Sequence, residues 1–298
     1  GRLDNGLAVL LDKVAMEADH IAFINRVKPH TSFSADIESG LAKMLAIGLA
    51  NHKGAEACHR QGFGVMAHNV VEMAKMKLAR TPVLFGLATV ENAYDKIARA
   101  EVVFAEEMLD REPSLLVEAR AKMPCVQFDP LDILVVDEMG KEFSGTGMDP
   151  NITGRPGTPY IKSRRTTGRL VVLNLSDKTA GNATGLGLAD ICTHALFERI
   201  DFRAFYTNHL TSTTMTGARI PMIMQTARMA VQGAIKTCNA EDPAAVRIAR
   251  IPNTLHLEHI MVSEAVLAEA QASDTIEVLG PAVPWVFADE AGGRAAIA

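Results

Sequence analysis

Residues 21–49, IAFINRVKPHTSFSADIESGLAKMLAIGL, contain the pattern that indicates the fold class most clearly. Residues 21–27 form an apolar run of strand length, and a polar loop follows from Lys28. Gly40 then opens residues 41–49, where apolar residues recur at helical intervals. A strand followed by a loop and a helix places the loop at the carboxyl end of a strand, where open α/β sheets bind ligands.

The same alternation of strand and helix patterns continues along the chain. Strands are predicted at residues 82–90, 131–136, 169–175, 220–224 and 246–251, and helices at 10–18, 68–78, 95–109, 113–122, 187–200, 226–238 and 257–272, with Pro113 at an early helical position. This alternation predicts an α/β fold of two domains whose mixed, largely parallel sheets are flanked by helices. We expect a cofactor-binding domain, itself partial, with linking helices over residues 1–122, and a C-terminal α/β domain over residues 123–298.

The composition indicates a globular protein without a strong charge bias. The 298 residues are 48% hydrophobic, and 30 basic residues oppose 35 acidic ones for a net charge of -5. The four cysteines lie far apart, as in proteins of a reducing cytoplasm. No apolar run approaches the roughly 20 residues that span a bilayer. We therefore expect a cytoplasmic protein with neither nucleic acid nor a membrane as partner.

Three residues of the first quarter have the chemistry of a catalytic site. His30 follows Pro29 just after the first predicted strand, and Lys43 lies among apolar helical residues. His59 comes at the end of the next predicted helix. Histidine exchanges protons near neutral pH and ligates metals, while a desolvated lysine becomes a nucleophile. The alternative is structural, with Lys43 extending from its helix to water. Glycines at 48 and 54 predict that Lys43 and His59 lie on two short helices joined by a bend.

The order of these residues resembles a known family. NRVKPH at residues 25–30, SGLAK at 39–43, AIGLA at 46–50 and then His59 are similar to the core of the nickel-dependent lactate racemases and their homologues. The resemblance implies that His30 is a catalytic acid/base and His59 a nickel ligand. It implies that Lys43 is the attachment site of the nickel-pincer nucleotide, a pyridinium-3-thioamide-5-thiocarboxylic acid mononucleotide that carries nickel.

The resemblance also implies a reaction and its partners. The expected activity is racemisation or epimerisation of a 2-hydroxy acid, either lactate-like or a sugar acid, by hydride transfer. The partners would be that small molecule and the enzymes that make the cofactor. In the family, a preceding N-terminal segment supplies an arginine and a second histidine, and neither is found here. The alternative is therefore a catalytically inactive homologue that binds a metal or a small acid.

The second domain contains a polar, glycine-rich loop after the strand predicted at residues 131–136. Asp149, Asn151 and Arg155 in this loop offer donors and acceptors suited to the hydroxyls and carboxylate of a substrate. A hydrogen-bonded turn without a ligand explains the loop equally well. His256 and His259 have the HxxH spacing, but no third ligand accompanies them, and no GxSxG motif indicates a hydrolase.

Overall fold

The computed structural model describes residues 1–287, which divide into two compact units. The first comprises residues 1–123, 158–162 and 211–213, and the second comprises residues 124–157, 163–210 and those from 214 onward. One sheet has three strands and the other has six. The predicted α/β class, with mixed and largely parallel sheets flanked by helices, is confirmed. Within residues 1–287, no helix combines the length and the apolar character needed to cross a membrane.

The first unit is built on the sheet β1-β2-β3, in which β1 is parallel and β3 antiparallel to β2. The strands are β1 Ile21–Arg26, β2 Val83–Glu91 and β3 Ile97–Phe104. The helices are α1 Lys13–Met16, α2 Leu41–Ala46, α3 Asn51–His59, α4 Met66–Arg80 and α5 Met108–Lys122, with 3₁₀ turns at Gly48–Ala50, Phe63–Val65 and Ala105–Glu107. Helix α2 lies against β1, β2, α4 and α5, so it is at the centre of this unit.

The helix predicted at residues 95–109 is wrong, because most of this stretch is strand β3. A turn between Asn92 and Lys96 folds it back on β2, and the antiparallel ladder pairs Leu87 with Val102. Cross-strand pairing outweighs the helical preference of an alanine- and charge-rich stretch whose side chains are mostly exposed. The next helix, α5, also begins earlier than predicted, so Pro113 lies inside the helix and not near its first position.

The second unit has the strand order β7-β6-β5-β4-β8-β9, parallel except for the edge strand β9. The strands are β4 Leu131–Met139, β5 Thr167–Leu175, β6 Ile191–Thr193, β7 Met222–Met224, β8 Ile248–Ile251 and β9 Met261–Val262. The helices are α6 Pro150–Thr153, α7 His194–Phe197, α8 Phe202–Ser212, α9 Ala227–Thr237 and α10 Leu267–Gln271. The 3₁₀ turns are Asp177–Thr179, Leu186–Leu188, Thr216–Ala218, Pro243–Ala245 and Glu264–Val266.

Two further predicted helices are wrong over much of their length. Residues 187–200 contain the fully buried strand β6 before the single turn of α7, since Thr193 accepts a hydrogen bond from the Leu196 amide and so starts a new helix. Residues 257–272 contain β9 before α10. Strands of two or three residues are too short to show a period of their own, and helical residues follow both of them.

The core of the second unit is centred on β4, where residues 133–136 are all fully buried. Leu134→Ala is expected to lower the free energy of unfolding of this unit by about 2–5 kcal/mol, because it removes buried methyl groups and leaves a cavity. Urea denaturation followed by circular dichroism measures the change. Met222→Ala, whose side chain is 57% exposed, is the control and should stay within about 0.5 kcal/mol. Equal effects of the two variants would contradict the buried position of Leu134.

Candidate functional site

The loop that carries His30 is held by a buried carboxylate. The Glu38 side chain, 2% exposed, accepts the His30 amide at 2.6 Å and the Ala35 amide at 2.8 Å. Arg120 of α5 forms an ion pair with Glu38 and also donates to the Ala35 carbonyl at 2.8 Å. These bonds fix the backbone on both sides of the imidazole and tie the loop to a long helix.

The His30 ring has a defined orientation and tautomer. It stacks on Phe33 with a centroid distance of 4.4 Å, and its Nδ1 accepts the Ser32 amide at 3.0 Å. Since Nδ1 acts as the acceptor, the hydrogen of the neutral ring lies on Nε2. In this form the N–H donor of the ring is Nε2.

Lys43 lies in the middle of α2, half-buried, next to core residues that are fully buried. Burial is the largest cause and the positive charge of Lys28 the second in lowering the pKa of Lys43 to about 8. An aliphatic amine with this pKa is partly neutral near physiological pH, and only the neutral amine is a nucleophile.

The Lys43 amine is therefore expected to titrate at about pH 8 instead of its ordinary 10.5. The folded state favours the neutral amine, so this contribution to stability is complete above pH 10.5 and is lost as the pH falls through about 8. Trace labelling with acetic anhydride across pH 6–11, read by peptide mass spectrometry, measures the midpoint. Exposed Lys53 is the internal control. A Lys43 midpoint equal to that of Lys53 would contradict the buried environment.

His59 is the last residue of α3, and the predicted bend before that helix is confirmed. The turn Gly48–Ala50 and the left-handed φ of 54° at Asn51 redirect the chain between α2 and α3. The His59 ring meets the edge of Phe63 at 5.4 Å, and its Nδ1 is buried with no hydrogen-bond partner. An imidazole nitrogen in this state suits a bond to a metal or to a ligand atom.

The structure brings His30, Lys43 and His59 together. Both imidazoles contact Phe63, whose ring centroid is 6.0 Å from that of His30 and 5.4 Å from that of His59. Burial lowers the pKa of His30 most, followed by the charges of Lys43, His59 and Lys28. Burial and then Lys43 also lower the pKa of His59. The lysine charges that act on this cluster, those of Lys28 and Lys43, favour an anionic ligand.

The residues fit the group that the family resemblance implies. Among the described residues, no three or more His, Cys, Asp and Glu side chains form a group that could hold a metal ion. The buried Nδ1 of His59, which has no hydrogen-bond partner, would be one ligand to an ion that an organic cofactor also holds. Lys43 offers the amine for covalent attachment, and its lowered pKa favours the bond-forming neutral state.

Asp149, Asn151 and Arg155 lie in the second unit, and internal bonds engage all three. Asp149 caps α6 by accepting the Asn151 amide and side chain, each at 2.9 Å. Arg155 pairs with Asp190 and donates to the Thr167 carbonyl at 3.1 Å. Arg155 also lines a cleft of about 520 Å³ that includes Asp190 and Arg219. These bonds are those expected of a well-connected turn.

Three further histidines have other surroundings. His209, 3% exposed, lies in α8, where its Nδ1 is 2.6 Å from the Thr214 carbonyl and its Nε2 accepts the Gly185 amide at 3.4 Å. His256 and His259 are exposed on a segment that is not helical. We interpret His209 as a structural residue that joins α8 to a neighbouring loop.

Sequence patterns did not reveal Glu38, Phe63 or Arg120, although all three support the cluster. Phe63 follows His59 closely, which was the only local signal for it. The cluster itself offers two imidazoles, an amine of lowered pKa and cationic surroundings. The chain matches no model of a known protein family, and comparison with curated proteins gives no match.

Proposed function

We propose that this protein is a racemase or epimerase of a 2-hydroxy acid, lactate-like or a sugar acid, that works through a lysine-tethered nickel-pincer nucleotide. The observation that supports this proposal most is that His30 and His59 both lie against Phe63, with Lys43 near enough for its charge to lower the pKa of both imidazoles. A carboxylate substrate and a phosphorylated cofactor are both anionic, and both are attracted by such a site.

In this proposal each residue of the cluster has one task. Lys43 would hold the nucleotide through a thioamide link, and His59 would ligate the nickel. When bound, the nucleotide supplies an acceptor for the hydride of the carbinol carbon. Removal of hydride avoids a carbanion beside an ionised carboxylate, which would need very large stabilisation. The protein supplies orientation and electrostatics, and the cofactor supplies the hydride chemistry.

His30 moves the hydroxyl proton of the substrate. To take the hydroxyl proton at Nε2, the neutral ring would carry its hydrogen on Nδ1 and give up the bond from the Ser32 amide; the imidazolium so formed would then return the proton to the substrate oxygen. Burial and cationic neighbours lower the pKa of His30, so the imidazolium that forms after proton withdrawal is a stronger acid than usual. Its proton would therefore return readily to the substrate oxygen.

A second candidate is a catalytically inactive homologue that binds a metal or a small acid. The pairing of Arg155 with Asp190 favours it, because it engages the arginine that the sequence offered as a candidate for binding the substrate carboxylate. We also propose a cytoplasmic location, since the four cysteines are free thiols.

Denaturing intact-mass analysis with peptide mapping tests the proposal. The protein is co-expressed with the enzymes of pincer-cofactor synthesis, beside an authentic lactate racemase, and a matched preparation omits those enzymes. We expect an adduct on Lys43 and stereochemical exchange of at least one acid in a panel of 2-hydroxy acids, read by chiral chromatography. No adduct here with an adduct on the authentic racemase would overturn the proposal. An adduct without exchange of any acid would favour the binding homologue.

A further inference from the structure

Helix α2 holds Lys43 but is too short to be stable by itself. It has six residues, and its N-cap Gly40 provides no side-chain hydrogen bond. Isolated helices in water need about 12–15 residues to be even marginally stable. The unpaired amides at the start and carbonyls at the end of such a helix need partners from elsewhere in the fold.

A buried carboxylate lies at the start of α2. Glu112 of α5, 1% exposed, accepts the Ala42 amide at 2.7 Å. Gly40 leaves the space for this approach, since a Cβ there would lie 2.3 Å from the Glu112 Oε1 atom. A carboxylate at this end of a helix also complements the helix dipole.

A buried ammonium lies at the other end. Lys77 of α4, 3% exposed, donates from Nζ to the Leu45 carbonyl at 2.7 Å and to the Ala46 carbonyl at 3.0 Å. A cation at the carboxyl end completes the match to the dipole. Two long helices therefore hold the two ends of α2 through side chains of opposite charge.

We infer that Glu112 and Lys77 are positioning residues, which hold α2 at both ends and so keep the Lys43 amine in its buried place. The importance of that placement for catalysis rests on the proposed function. The contacts of Glu112 and Lys77 with α2 are independent of it. Burial raises the pKa of Glu112 to about 7 and lowers that of Lys77 to about 8. Burial therefore disfavours the charged form of both side chains. Buried ionic groups stabilise a fold poorly, but in some proteins they specify one arrangement. Here both of them act on the one short helix that carries Lys43.

The test measures the titration midpoint of Lys43 in protein that carries no cofactor, by the labelling described above. Lys77→Met and Glu112→Leu should each raise the midpoint by at least about one pH unit, because a loosened α2 lets water reach the amine. Glu112→Gln keeps an acceptor for the Ala42 amide and should restore the native midpoint. Lys75→Met, an exposed change on the same helix as Lys77, is the matched control.

Thermal unfolding of each variant separates positioning from stability. If Lys77→Met and Glu112→Leu fold, melt at lower temperature and keep the midpoint of Lys75→Met, the two residues only stabilise the fold and the inference is overturned. Gly40→Ala is a further variant, because its methyl group would displace the Glu112 carboxylate; it should raise the midpoint in the same way. Since the labelling needs no cofactor, a failure of Lys43 to acquire the adduct would count against the proposed function alone.

Discussion

Replacing Lys43 with arginine is expected to abolish both the covalent adduct and the stereochemical exchange of 2-hydroxy acids. Arginine keeps the positive charge and much of the length of lysine, but its guanidinium stays protonated and cannot act as the amine nucleophile. We expect no mass increase on the variant and a loss of exchange of about 10³-fold or more. Intact mass and chiral chromatography of protein co-expressed with the cofactor-synthesis enzymes measure the two effects.

The matched control for this variant is Lys53→Arg, at an exposed position of α3. It should carry the adduct on Lys43 and exchange substrate at the native rate. If Lys43→Arg instead retained exchange near the native rate, catalysis would not depend on a tethered cofactor. The cluster would then need a different chemical role.

The parts of the fold that were predicted from the sequence are those whose hydrophobic pattern extends over several residues. Strand β4 has four consecutive buried residues at 133–136, and β5 has a similar apolar run. Strand β3 was not predicted, because its side chains are mostly exposed and it forms by pairing with β2. Strands β6 and β9 have only three and two residues, so neither shows a period.

The same distinction applies to the site. His30, Lys43 and His59 stand within one continuous stretch, so their order in the sequence was informative. The groups that hold them come from far along the chain: Arg120 bonds Glu38 across 82 residues, and Glu112 bonds Ala42 across 70. No local pattern encodes such pairs, because the partners meet only when α5 packs in the first unit. The sequence therefore indicates the reactive groups, and the fold shows how they are placed.

Replacing His30 with glutamine is expected to separate proton transfer from cofactor attachment. The loop should keep its conformation, because Glu38 bonds the backbone amide of residue 30 and not its side chain. The amide cannot exchange a proton near neutral pH, and loss of a general acid/base lowers rates by about 10²–10⁴-fold. We therefore expect the Lys43 adduct to form normally while exchange, measured by chiral chromatography, falls by that factor.

The control for His30→Gln is His68→Gln, at an exposed position of α4, which should leave exchange unchanged. Full exchange in His30→Gln would remove His30 from the proton-transfer step and assign it a structural role beside Phe33. Loss of the adduct together with exchange would mean that His30 shapes the cofactor site itself. Only retention of the adduct with a large loss of exchange assigns the proton to His30, because Lys43 and the loop would then be intact while one proton-carrying group is missing.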